Sequence, residues 1–263
     1  MSADHFVVFD LEATPDPECP ADPPKNPDQD RVPAPPHHRV VSCGIIVFAW
    51  TKDEQDNFLT VAKCRLLGDA VGTETSILQD FGSIMKHRPH LASWNGRGFD
   101  LPVIMARSFR CGIPTPWFWD RDYMDRFRGH RHIDLQDHTT NYGASRASRM
   151  AAFAKLAGWP GKLGVCGADV PQLWEEGDEG RAKVRRYNLE DVGCQSAILL
   201  RVLLMKGEIS RTAYQKSAES LLSTFDRDQR FAELSAAIDR DRFLMHDKGP
   251  QQQPVPAESG AAA

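Results

Sequence analysis

His5-Phe6-Val7-Val8-Phe9-Asp10-Leu11-Glu12 is an apolar run that gains two acids at its carboxyl end, the pattern of a central strand in a sheet covered on both faces. Strand side chains alternate, so Asp10 and Glu12 project to one side, about 7 Å apart. Two acids on a shared face repel unless a cation lies between them. An isolated Asp-x-Glu is common by chance, and a loop beginning at Asp10 would also account for it. The decision rests on what the rest of the chain brings to that strand end.

Between Ala13 and His38 lie nine prolines and no hydrophobic period, which reads as a long surface loop. Strand-like runs follow at 39–50 and 58–67, joined by the polar turn Thr51 to Asn57, a hairpin signal. From Thr73 to His87 the residues Ile77, Leu78, Phe81, Ile84 and Met85 recur at helical spacing, with Thr73 as the cap. A short strand at 90–94, a loop, and a helix over about 101–110 closed by Gly112 and Pro114 come next. His132-Ile133-Asp134-Leu135 reads as a short strand, 148–157 as a helix, and Gly158-Trp159-Pro160-Gly161-Lys162 as a loop. The clearest helix spans about 179–206, and two more are expected after Gly207.

Two further carboxylate sites stand out. In Asn95-Gly96-Arg97-Gly98-Phe99-Asp100 the glycines permit a tight turn, and Asp100 falls at a strand-to-helix edge, where open α/β sheets bind ligands. Asp100 could equally cap the following helix. In Tyr187-Asn188-Leu189-Glu190-Asp191 a spacing of four puts Tyr187 and Asp191 on one helix face, continued by Cys194, Ile198, Val202 and Met205. Asp191 therefore points inward and needs a cation or strong donors, an arginine being the ordinary alternative. Four carboxylates gathered at one sheet edge could not ionise together without multivalent cations.

The 263 residues are 41% hydrophobic and 26% charged, enough for one sizeable core. Acids outnumber bases 36 to 32, so net charge does not advertise nucleic acid and any such binding must use local basic surface. Six scattered cysteines form no Cys-x-x-Cys pair or zinc spacing, which fits reduced thiols. No apolar run approaches the roughly 20 residues that cross a bilayer, and no basic-then-apolar leader precedes the first strand. The expectation is a cytoplasmic chain with no membrane partner.

In their order and setting these residues resemble the DEDD, or DnaQ-like, 3′-5′ exonucleases of the ribonuclease H-like fold. Asp10-Leu11-Glu12 is similar to the first motif, Asn95 to Asp100 to the second, and Tyr187 to Asp191 to the third. The histidine branch would want His at position 186, which is Arg186, while Tyr187 stands four before the last acid, as in the tyrosine branch. With residues 132–135, 158–162, 167–170 and 187–192 added, the chain resembles predicted stand-alone exonucleases related to the proofreading domain of family B DNA polymerases, over roughly residues 5–207. One departure is Ala13, with Thr14 next, where many relatives place Thr directly after the Glu.

The resemblance implies an α/β fold: a mixed five-stranded sheet flanked by helices, with residues 1–207 as the exonuclease domain, 208–246 as a helical extension of it, and 247–263 as a disordered tail. It implies two divalent cations, Mg²⁺ or Mn²⁺, held by Asp10, Glu12, Asp100 and Asp191, with Tyr187 positioning the attacking water. The partner would be a nucleic acid 3′ end, DNA or RNA, with a single-stranded terminus contacted by Leu11, Asn95, Phe99 and Lys162. Arg97, Arg185 and Arg186 could meet phosphates. Trp117, Trp119, Tyr123 and Phe127, among Arg121, Arg126 and Arg128, could stack on bases or pack as a docked loop. His130 and His132 hint at a metal pair but read better as ordinary histidines. The rival readings are a binding module with a decayed site, against which the intact acids speak, and a metal-dependent nucleotide phosphohydrolase.

Overall fold

The computed structural model describes residues 5–22, 32–68, 72–161 and 163–246. The expected tail over 247–263 and Lys162 lie outside the described residues, as does part of the Pro-rich segment. Five strands, β1 (His5–Pro15), β2 (His38–Lys52), β3 (Asn57–Leu66), β4 (His90–Ser93) and β5 (His132–Asp134), form one sheet in the order β3-β2-β1-β4-β5. β1 pairs antiparallel with β2 and parallel with β4, so the sheet is mixed, as expected. β1 runs three residues past Glu12, and its pairing with β2 shifts register between Glu12 and Ala13. Such bulges bend a strand and re-aim its side chains beside functional sites.

Among the described residues the α-helices are α1 (Glu74–Met85), α2 (Asp100–Cys111), α3 (Arg121–Met124), α4 (Leu135–Thr139), α5 (Met150–Leu156), α6 (Val170–Glu175), α7 (Asp178–Met205), α8 (Arg211–Asp226), α9 (Ala232–Ala237) and α10 (Arg240–Phe243). Thr73 caps α1, its hydroxyl accepting from the Ser76 N–H, and left-handed Gly112 (φ 65°) closes α2.

Strand alternation divides the core. Val7, Phe9 and Leu11 face the layer of α1 and α2 with Phe81, Leu101 and Ile104. Phe6 and Val8 face α7, α8 and the last helices with Leu199, Leu221 and Phe225. One face is thus sealed by the middle of the chain and the other by its C-terminal third.

α7 departs from the expected single stripe. Every residue from Tyr187 to Leu200 is buried, while Met205, placed on that stripe, is 80% exposed. The middle of α7 is covered on all sides by β2, β1, α5 and α8, and its last turn runs beyond them. Contact is close enough that a Cβ on Gly193 would lie 2.5 Å from the Phe225 ring.

The C-terminal helices are built into the same core. Ser217 and Ser220 of α8 accept from the Leu59 and Val61 N–H groups of β3, at 2.9 and 3.0 Å, so α8 satisfies the edge strand that would otherwise be open to pairing. Trp159, from the expected Gly/Pro loop, is a core plug packed edge-on against Phe225 and Phe243. No helix among the described residues is long and apolar enough to cross a membrane.

Candidate active site

Asp10 and Glu12 leave the carboxyl end of β1 on the side that α7 covers, and Asp191 meets them from α7. One carboxylate oxygen from each lies within 4.8 Å of the others. Glu12, Asp191 and Tyr187 are 7%, 8% and 3% exposed, so the cluster is largely withdrawn from water. Burial, with Glu12, Asp191 and Asp100 around it, pushes the Asp10 carboxyl well above the usual carboxylate range.

Asp100 comes from the other layer. It opens α2, whose N-cap is Phe99 with no side-chain capping bond, and its Oδ1 accepts from the Leu11 N–H across the sheet at 3.1 Å. Its carboxylate is therefore spent on the acid-bearing strand rather than on capping α2. Burial pushes it up to about 7, opposed by hydrogen bonds from its own N–H and from the Leu11 N–H, with Asp134 adding to the rise.

Two residues to which the sequence reading assigned no role hold Asp10. Asn188 Nδ2 donates to its Oδ2 at 2.8 Å and Gln195 Nε2 to its Oδ1 at 2.7 Å. With Asp191 they stand at i, i+3 and i+7 on α7, one face, and that spacing was the available signal. Ser42 donates to Asn188 Oδ1 at 2.8 Å. Asn188 can come this close because Gly44, opposite Asp10 in the register, has no side chain: a Cβ there would lie 2.9 Å from Val192 and 3.2 Å from the Asn188 carbonyl.

The Tyr187 hydroxyl is hydrogen-bonded to Asp191. Burial, then the negative charges of Asp191 and Glu12, hold it protonated far above its usual range. It acts as a donor at any physiological pH.

The loop before Asp100 is fixed by Asp134 of β5, also missed as a functional part. Its carboxylate accepts from the N–H groups of Asn95 (2.9 Å) and Arg97 (3.1 Å). Asn95 is exposed and left-handed (φ 60°), turning the chain there. Phe99 is half-buried, edge-on to His38 at 5.1 Å. Leu11 is buried among the α1 and α2 residues on the opposite face from Asp10. Thr14 shares the Asp10 and Glu12 side of β1 by alternation and is buried.

Several expected phosphate contacts are engaged elsewhere. Arg97 turns inward, pairing with Asp137 at 3.3 Å and donating to the Tyr123 and His132 carbonyls. Arg186 pairs with Glu190 at 3.3 Å, and Arg185 lies over Trp174. The aromatic segment splits: Trp117 and Tyr123 are core, while Trp119 and Phe127 are 76% and 71% exposed. His132 is a core histidine hydrogen-bonded to Ser93, whereas His130 is exposed, so the two do not converge.

An all-oxygen donor set suits a hard cation such as Mg²⁺ or Mn²⁺. Gln195 Oε1, on the amide that clamps Asp10, is buried without a hydrogen-bond partner, and the cluster crowds several acids together. The residues fit divalent metal.

A family described as "predicted 3′-5′ exonuclease related to the exonuclease domain of PolB" matches residues 33–238. The match includes Asp100, Tyr187 and Asp191 and runs through α8 and α9; it begins after Asp10 and Glu12. Among solved structures, the chain is similar to the family B DNA polymerase from the hyperthermophilic archaeon Pyrobaculum calidifontis, at 16% identity and a TM-score of 0.50. The similarity covers 92% of this chain and 28% of that one, and at such identity it speaks for the fold alone. No curated protein matches.

Proposed function

The chain belongs to the family of predicted 3′-5′ exonucleases related to the exonuclease domain of PolB, and on that premise we propose that it hydrolyses phosphodiester bonds at the 3′ end of DNA or RNA with two divalent cations. The observation that carries this reading is the convergence of Asp10, Glu12 and Asp191 within 4.8 Å beside a protonated tyrosine. Such a cluster is unfavourable as an isolated group of buried anions and favourable as a ligand set.

When bound there, Mg²⁺ or Mn²⁺ makes hydroxide available near neutral pH and offsets charge on the attacking and leaving oxygens. The chain's own residues do the positioning. Asp10, Glu12 and Asp191 hold cation, with Asn188 and Gln195 fixing the orientation of Asp10. Asp100 supports the second cation from the α2 side. Tyr187, whose hydroxyl is bonded to the ligand Asp191, positions the attacking water through that hydroxyl. Water adds across the terminal phosphodiester, the bond to the penultimate 3′ oxygen breaks, and a 5′-mononucleotide leaves. Leu11, Asn95, Phe99 and Lys162 are the proposed contacts to the terminal nucleotide, Leu11 through its backbone.

We also take residues 208–246 to be part of the same domain, because α8 satisfies β3 and Trp159 packs into the last helices. The test is a degradation assay on 5′-labelled DNA and RNA, single-stranded and duplex, with and without Mg²⁺ or Mn²⁺. A ladder shortened one nucleotide at a time from the 3′ end, abolished by EDTA, is expected. Internal cuts, or release of nucleotides that persists in EDTA, would overturn the reading.

A further inference from the structure

The segment that follows α3 carries aromatic and basic surface that the carboxylate site does not use. Phe127 is 71% exposed, Tyr142 lies against it with ring centroids 5.5 Å apart, and His138 lies beyond Tyr142 at 5.6 Å. Between Arg126 and Arg149 the chain has five arginines and two aspartates, a local positive excess in a protein of net charge −4. Both aspartates are turned inward: Asp134 holds the loop before Asp100, and Asp137 is paired with arginines. Arg126, Arg128, Arg146 and Arg149 are exposed.

This surface is braced to the site. Asp137 accepts from Arg97 with one oxygen at 3.3 Å and from Arg126 with the other at 2.5 Å, and the Arg126 guanidinium lies 5.9 Å from the Phe127 ring centre. Arg97 belongs to the loop that presents Asp100, so one carboxylate couples that loop to the exposed Phe127 ring, against which the half-buried Tyr142 lies. The backbone adds a second, independent sign. Asn141, Tyr142 and Gly143 are all left-handed, with φ of 49°, 56° and 89°. Consecutive non-glycine residues in that region are strained and persist only where their surroundings over-determine them. Here the Tyr142 N–H donates to the Asp137 carbonyl at 2.7 Å and the Gly143 N–H to Thr140 Oγ1 at 3.1 Å, which seats the Tyr142 ring between Phe127 and His138.

We propose that Phe127, Tyr142 and His138 form a stacking track for the unpaired bases of a single strand whose 3′ end lies at the carboxylates, with the exposed arginines around them meeting its phosphates. The position of the 3′ end rests on the exonuclease reading; the binding itself does not. Every base offers a π-face, so the track tolerates any sequence, whereas a duplex keeps its bases stacked on one another.

Anisotropy of a 5′-labelled single strand of about 12 nucleotides, with EDTA present so that nothing is cut, measures Kd on the full chain. Phe127→Ala and Tyr142→Leu should each weaken Kd about tenfold, and Phe127→Trp should preserve it. Trp119→Ala, an exposed aromatic outside the track, should leave Kd within about twofold. The proposal is overturned if the first two variants bind like the parent, if Trp119→Ala loses as much as they do, or if a blunt duplex suffers the same loss. A parent protein that binds the strand through these rings but releases no nucleotide with Mg²⁺ or Mn²⁺ would sink the exonuclease reading and leave the track standing. Release of nucleotides with Kd untouched by Phe127→Ala and Tyr142→Leu would do the reverse.

Discussion

Two groups of largely buried acids lie near the carboxyl end of β1, and their surroundings treat them in opposite ways. Asp16, one residue past the strand, is 2% exposed and accepts from Arg107 of α2, itself 3% exposed. Arg107 also grips Glu74 of α1 at 2.7 and 2.9 Å, and Arg110 adds its charge to Asp16 at 3.6 Å. Burial alone would raise the Asp16 carboxyl, yet the hydrogen bond from Arg107 carries it below the ordinary range. Asp10 accepts instead from two neutral amides and is surrounded by three more carboxylates, and its pKa moves up. An acid cluster matched by arginine is complete as it stands and ties elements together. One clamped by amides is fixed in orientation while its charge remains to be balanced, which is what a metal site requires.

The sharpest way to break this comparison is to remove an acid from each side. Asp191→Ala and Asp10→Ala should reduce 3′ nucleotide release about a thousandfold or more, with the thermal midpoint in EDTA moving by no more than about 3 °C, because they relieve repulsion as they delete ligands. Retained cleavage in purified Asp191→Ala protein would remove the assignment altogether. On the other side, Arg107→Ala leaves buried Asp16 and half-buried Glu74 without their shared cation. It should lower unfolding free energy by about 3–5 kcal/mol in urea titrations while activity per folded molecule persists. A stable Arg107→Ala protein would mean that the arginine network is not structural.

Within the site, Tyr187→Phe removes only a hydroxyl. A loss of about a hundredfold in rate, with metal affinity by calorimetry preserved, is expected for a residue that orients water. An unchanged rate would reduce Tyr187 to a packing residue.

The smallest effect separates the clusters by pH. The raised Asp10 and Asp100 carboxyls make the folded, metal-free protein bind more protons than the unfolded chain between about pH 4 and the folded value, about 7 for Asp100. Their contribution is therefore present at low pH and lost as pH rises through that window. Asp16 has the opposite sign: its contribution is present above about pH 4 and lost on acidification through its depressed folded value. Melting in EDTA should show the parent's midpoint fall relative to that of Asp10→Ala between about pH 5 and 7.5, a comparison in which the opposite slope from buried His132 cancels, and Mg²⁺ or Mn²⁺ should flatten that difference. Parallel profiles without metal would mean that the site acids do not repel.

What the sequence determined by itself was whatever depends on local period and order. The apolar run at residues 5–12, the hairpin, the capped helix after Thr73 and the long helix around residue 191 are each written within a few neighbours, and the structure has all of them. The shared face of Asp10 and Glu12 follows from strand alternation, and the inward aim of Asp191 from helical spacing. Tertiary structure decided which neighbours those side chains meet. Asn188 and Gln195 reach Asp10 across 178 and 185 residues of chain, Asp100 gives its oxygen to Leu11 rather than to a cap, and Arg97 turns in to Asp137. It also buried the middle of α7 on every side, where an apolar stripe marks only one, and sent Phe127 outward while burying Tyr123 four residues before it. Periodicity says which way a side chain points along its own element. The partner it finds depends on how close the packed layers come, and here that closeness was set by positions as plain as Gly44 and Gly193.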